Sequence, residues 1–181
     1  MTEVAAIRTA MGSDATVLLG SAASRDSLVA VAPNYDILHF ATYGVLNRRN
    51  PLLSYLELAP KGQDGRLQVA DVYGMSLDAR LVVLSACQTG IGSGMLADVP
   101  AGDEWVSLSQ SFLMAGARNV LATLWPVEDR STAELMKAFY EELAAGAPED
   151  VALASAQRRA IRNSKWPLPF HWAAFVLVGG P

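Results

Sequence analysis

Leu81-Val-Val-Leu-Ser-Ala-Cys-Gln-Thr-Gly90 decides the fold. Four apolar β-formers run into a small-residue turn that carries the chain's only cysteine, Cys87, ahead of a glycine-rich segment. An apolar run of this length without polar alternation predicts a strand buried on both faces, as in parallel sheets covered by helices. In such sheets ligands gather outside the carboxyl ends of the strands. Cys87 therefore stands where an α/β protein places a nucleophile. A lone cysteine also reads as a small buried hydrophobe. Its neighbours Ser85, Ala86, Thr89 and Gly90 keep both readings open.

Outward from this stretch, strand and helix signals alternate. Residues 1 to 12 read as a helix stopping near Gly12, and Thr16 to Leu19 as a short buried strand. Ser24 is an N-cap for a short helix ending before Pro33, and Ile37 to Thr42 reads as the next strand. Ser54 to Leu58 and Arg66 to Gln68 flank a polar, glycine-bearing loop at residues 61 to 65 and predict a β-hairpin. A short helix over Val69 to Met75 carries Asp71 in its first turn. After the central strand at 81 to 85 comes a loop, 88 to 103, with four glycines and Pro100. Loops of that length are more often functional than idle. A helix near Trp105 to Met114, a strand near Asn119 to Leu124 and helices over about 130 to 145 and 150 to 163 follow. Trp172 to Val178 reads as a last buried strand. This alternation predicts a mainly parallel sheet between helical layers.

With 181 residues, the chain suits one domain with a sizeable core. Hydrophobic residues make up 51% and charged residues 18%, which again favours strands covered on both faces. Mean hydropathy is +0.23, yet no uninterrupted apolar window is long enough for a membrane span. The N-terminus carries Glu3 early and lacks a long apolar core, so it predicts no secretory signal and a cytoplasmic protein. A net charge of -4 with dispersed Lys and Arg argues against direct nucleic-acid binding. One cysteine excludes an internal disulfide and a multi-cysteine metal site, and no cofactor is expected.

Six segments occur in order: His39-Phe-Ala-Thr-Tyr-Gly44, Leu84-Ser-Ala-Cys-Gln-Thr-Gly90, Gly102-Asp-Glu-Trp105, Ala115-Gly-Ala-Arg-Asn-Val120, Leu124-Trp-Pro-Val-Glu-Asp129 and Trp172-Ala-Ala-Phe175. Together they resemble the CHAT family, caspase-like domains often attached to tetratricopeptide repeats. The resemblance runs from about residue 15 to the end. It implies an α/β caspase-like three-layer sandwich, with a mostly parallel central sheet flanked by helices, and a Cys–His dyad for peptide-bond hydrolysis. Ala86-Cys-Gln also resembles the caspase cysteine signature, whose histidine lies about fifty residues upstream.

Carried over by position, Cys87 falls on the family's nucleophile. Gly44 falls on the glycine whose N–H joins that of Cys87 in an oxyanion hole, and Tyr43 falls on the catalytic histidine. A phenol, with an ordinary pKa of about 10, is a poor proton acceptor at neutral pH and supplies no imidazolium to hold a thiolate. Losing a general base forfeits on the order of 10²–10⁴ in rate. The resemblance thus implies a cysteine peptidase impaired at Tyr43, or a pseudo-peptidase that keeps the cleft as a peptide-binding or regulatory module. Implied partners are a peptide or protein substrate and a tetratricopeptide-repeat or other regulatory protein. The expected domain is a single CHAT domain over residues 1 to 181, lacking an upstream strand–helix portion that family members carry.

Asp103 and Glu104 fall on the family's acidic pair after the loop. Asp103 reads as a substrate-specificity residue or as a helix N-terminal acid favoured by the macrodipole. His39 reads as a buried histidine on Tyr43's face of its strand, about 13 Å back. His171 reads as a residue at the start of the last strand and a weak surrogate base. Gly90-Ile-Gly-Ser-Gly94 lacks the full dinucleotide-binding spacing, and Pro100 interrupts the helix that should follow it. A small-molecule α/β enzyme using that loop is a third possibility in kind. Trp125, Trp166, Trp172, Phe139 and Tyr140 suit core packing, and Arg158, Arg159 and Arg162 form a basic helix face.

Overall fold

The computed structural model describes residues 3–12, 15–45, 47, 50–61, 64–85, 103–162 and 165–180, with side chains from 108 onward in the helix beginning at Asp103. They divide into two compact units. One comprises Leu18–Pro126 with Val178–Pro181, and the other Met1–Val17 with Val127–Leu177.

The first unit is built on a mostly parallel sheet. Strands β1 (Ile37–Phe40), β5 (Leu81–Leu84) and β6 (Asn119–Thr123) are adjacent and parallel. The sheet order continues to β7 (Phe175–Gly179), whose final residues belong to this unit. All four residues of β5 are buried, as its unbroken apolar run demands. Register puts Leu38, Val82 and Val120 in one row and Phe40, Leu84 and Ala122 in the next on the same face. That face forms one core with Leu108 and Phe112 of α4 (Asp103–Met114), Val69 and Val72 of α3 (Val69–Tyr73) and Leu28 of α2 (Arg25–Val31). The Phe40 and Phe112 rings meet at 5.4 Å.

Local chemistry fixes the ends of these elements. Ser24 caps α2, its hydroxyl oxygen accepting from the Ser27 N–H at 3.3 Å. Asp71 closes the first turn of α3 by accepting from the Gln68 N–H at 2.9 Å, and its other oxygen holds Arg25 of α2 at 2.7 Å. Between α4 and β6 the chain turns at Gly116, φ +112°, where a Cβ would lie 2.0 Å from the Leu77 carbonyl oxygen.

A second, antiparallel sheet of order β2-β3-β4 comprises β2 (Gly44–Val45), β3 (Tyr55–Glu57) and β4 (Arg66–Gln68). β3 and β4 are the expected hairpin, with Leu56 and Leu67 paired and fully buried. β2 was not expected. The strand expected through Thr42 ends at Phe40, because the chain leaves the parallel sheet to join the small one.

In the second unit α1 (Glu3–Met11) ends at Gly12, which takes φ +72° as the sequence indicates. Helices α5 (Asp129–Ala144) and α6 (Glu149–Arg162) pack together, with Met136, Phe139 and Tyr140 of α5 and Ala152 and Ala156 of α6 buried. Phe139 and Tyr140 are thus core residues, as expected. Arg159 meets Glu141 at 2.7 Å and Ser155 donates to Glu142 at 2.8 Å, tying α6 to α5.

Two further expectations fail. Thr16 to Leu19 forms no strand and Leu19 is 65% exposed, since an apolar run without a ladder partner cannot hold strand geometry. The last strand begins at Phe175 rather than Trp172, because Pro169 starts a short helix, α7 (Pro169–Trp172). Among the described residues no helix is long and apolar enough to cross a membrane. The chain is a mixed α/β protein with a mostly parallel sheet and flanking helices, consistent with a caspase-like fold.

Candidate functional site

β1 and β5 are in register from Ile37 opposite Leu81 to Phe40 opposite Leu84, so the two strands end at one level. Tyr43 follows Phe40 by three positions, and Cys87 follows Leu84 by three. Cys87 and the glycine-rich loop lie outside the described residues, as do the side chains of Asp103 and Glu104. Those two residues are the first two of α4.

Tyr43 and Gly44 sit at the crossing from the large sheet to the small one. The Tyr43 carbonyl accepts from the Glu57 N–H at 2.8 Å, and the Thr42 hydroxyl donates to the Glu57 carbonyl. Gly44 pairs with Leu56. Bonded and non-bonded pairs alternate along an antiparallel ladder, so the Tyr43–Glu57 bond makes Gly44–Leu56 a non-bonded pair. The Gly44 N–H is consequently directed away from β3, on the outer edge of the small sheet. Gly44 is buried, whereas Tyr43 is 52% exposed. A buried glycine can thus present its amide beside an accessible phenol.

His39 faces Val83, on the side of the sheet opposite Leu38 and Phe40. β1 ends at Phe40, so strand alternation does not extend from His39 to Tyr43. His171 lies on α7 rather than at the start of a strand. Its Nδ1 is 3.2 Å from the Ser131 hydroxyl, which itself donates to the Glu128 carbonyl at 2.9 Å. Its ring packs 4.9 Å from Trp166 and 5.5 Å from Phe170. His171 is therefore engaged within its own helical unit.

Among the described residues no group of three or more His, Cys, Asp or Glu side chains is placed to hold a metal ion. Sequence reasoning missed β2 as the support of the Tyr43–Gly44 position. Its signal was the short Thr42-Tyr-Gly-Val45 stretch, too brief for a strand assignment without knowledge of the hairpin it joins.

A family model described as CHAT domain matches residues 1–180. Tetratricopeptide repeat protein 28 of Mus musculus is 34% identical over 113 residues, covering 62% of this chain and 4% of that protein. Tetratricopeptide repeat protein 28 of Homo sapiens is 34% identical over 120 residues, covering 66% of this chain and 5% of that protein. The chain thus corresponds to a small part of those relatives' length. On the match across nearly its whole length, the chain belongs to the caspase-like CHAT-domain family.

Proposed function

We propose that this chain is a CHAT domain of cysteine-peptidase type, acting on peptide or protein substrates, whose hydrolytic step is weak because Tyr43 occupies the place of the general base. The Cys87 thiolate would attack the scissile carbonyl, breaking its C=O π bond and forming the C–S bond. The Gly44 and Cys87 N–H groups would hold the oxyanion. A proton must then reach the leaving amine as the C–N bond breaks, and water must release the acyl group. A histidine performs both transfers in the dyad; Tyr43 is a poor substitute in each. The observation that carries the reading is the edge position of Gly44, whose amide points away from β3 while Tyr43 stands exposed beside it.

The same Tyr43 favours a second reading, a pseudo-peptidase that binds peptides or regulates a partner without cleaving them. The tetratricopeptide-repeat relatives support such a context for that partner. Residues 1 to 181 are taken as one CHAT domain, supported by the extent of the family match, and its setting as cytoplasmic, with no cofactor.

Labelling with a peptidyl acyloxymethyl ketone, followed by peptide mass spectrometry, tests the proposal. An impaired peptidase labels at Cys87 slowly at neutral pH and faster as pH rises through the ordinary thiol range near about 8.5. Rapid labelling at neutral pH, with turnover of a peptide library, would show an intact catalytic apparatus. Labelling no faster than that of a non-peptidyl electrophile of equal reactivity would remove the peptide cleft from the proposal.

A further inference from the structure

The exposed face of α6 carries a cationic groove with no role in the proposed chemistry. An open cavity of about 400 Å³ is lined by Ser155, Arg158, Arg159 and Arg162. Two of these are already committed to α5, Ser155 to Glu142 and Arg159 to Glu141. Arg158 and Arg162 are different. They stand four residues apart, on one helical stripe, both exposed, and no carboxylate among the described residues pairs with either. Like charges at that spacing repel. The helix macrodipole accounts for a cation in the last turn, as at Arg162, but Arg158 lies before that turn. A chain of net charge -4 thus concentrates three arginines in one groove.

The groove does not end at the arginines. Arg159 also lines a second cleft of about 240 Å³, where apolar side chains of α5 and α6 and the Trp166 ring stand beside the Glu134 carboxylate, which is paired with Lys165, and the Lys137 ammonium. Along the helix, Val151 and Ile161 are exposed at 47% and 46%. Val151 shares the stripe of Ser155, Arg158 and Arg162, and Ile161 lies one turn beyond Arg158. Cationic guanidiniums beside a cleft with apolar wall residues match a ligand that offers carboxylates next to an apolar side chain.

We propose that the α6 face is a docking site for an acidic peptide segment of a partner protein. The segment's carboxylates would pair with Arg158 and Arg162, and one apolar side chain would enter the cleft at Trp166. Charge complementarity selects the acidic partner, and the two clefts adjoin at their shared lining residue Arg159.

Fluorescence anisotropy on the full 181-residue chain tests this. The probe is a short fluorescein-labelled peptide with glutamates at i and i+4 and a central leucine. Binding is expected to weaken about tenfold in Arg158→Glu/Arg162→Glu, to weaken with added salt, and to be partly restored by a probe with lysines in place of the glutamates. Arg158→Gln/Arg162→Gln, checked by circular dichroism, should weaken it less while leaving the fold intact. Replacing the probe's leucine with serine should also weaken binding. Equal affinity for a glutamine-substituted probe, or equal affinity in the charge-reversed variant, overturns the proposal. So does complete displacement by millimolar inorganic phosphate, which would mark a small-anion site, or preference for phosphatidylserine vesicles over the peptide. Cys87 labelling is read in parallel and is independent of every arm.

Discussion

Phe40 stands opposite Leu84 at the last rung shared by β1 and β5, so both strands release their chains at one level of the sheet. Three residues later one chain reaches Tyr43 and the other Cys87. If these two form a dyad position, replacing the phenol with imidazole should revive it. Tyr43→His is expected to raise kcat/KM on a peptide library by about 10²-fold or more and to accelerate peptidyl labelling of Cys87. An unchanged rate in a correctly folded variant would remove Tyr43 from the catalytic position.

Gly116 joins α4 to β6 in a conformation that L side chains avoid, with the Leu77 carbonyl where a Cβ would stand. The Leu77 N–H also donates to the Ala115 carbonyl at 2.7 Å, so that segment cannot withdraw without breaking a bond. Gly116→Ala should destabilise the protein by at least about 2 kcal/mol, measured by urea unfolding. A smaller loss would mean that the turn relaxes.

The Ser24 hydroxyl serves the first turn of α2 and lies 2.9 Å from the Ser27 hydroxyl, in a buried setting. Ser24→Ala should cost about 1 kcal/mol, and Ser24→Asp should recover part of that loss. Equal destabilisation by both substitutions would argue for packing rather than capping.

Glu134 meets Lys165 at 2.7 Å, and this hydrogen bond holds its carboxyl below the ordinary value of 4.5 despite partial burial, with the Lys165 charge adding to the effect. A lowered native pKa means the pair's stabilisation is complete above the unfolded value and fades as pH falls through the native one. Both side chains are well exposed, so its size should stay under about 1 kcal/mol. A carbon NMR titration should find the Glu134 pKa lowered and moving back up in Lys165→Gln. No movement would assign the shift to another neighbour.

The parallel sheet was legible because β5 is apolar throughout and its register partners are apolar except His39 and Asn119. Helices α5 and α6 were equally plain from their apolar stripes. What escaped depended on distant partners. Thr16 to Leu19 has the composition of a strand but no ladder to join, and β2 is two residues that become a strand only because β3 lies alongside. The orientation of the Gly44 amide was likewise invisible, since it depends on which rungs of the small sheet carry hydrogen bonds. Pro169 marked the start of a helix turn, yet the aromatic run after it resembled a strand.

Tyr43 is fastened through its carbonyl while its ring looks outward, so the architecture makes little demand on the kind of side chain mounted there. Mount and tool are separable. Under the proposed function, an exchange at this one position would switch the domain between cutting and holding a peptide while the scaffold underneath stays as it is.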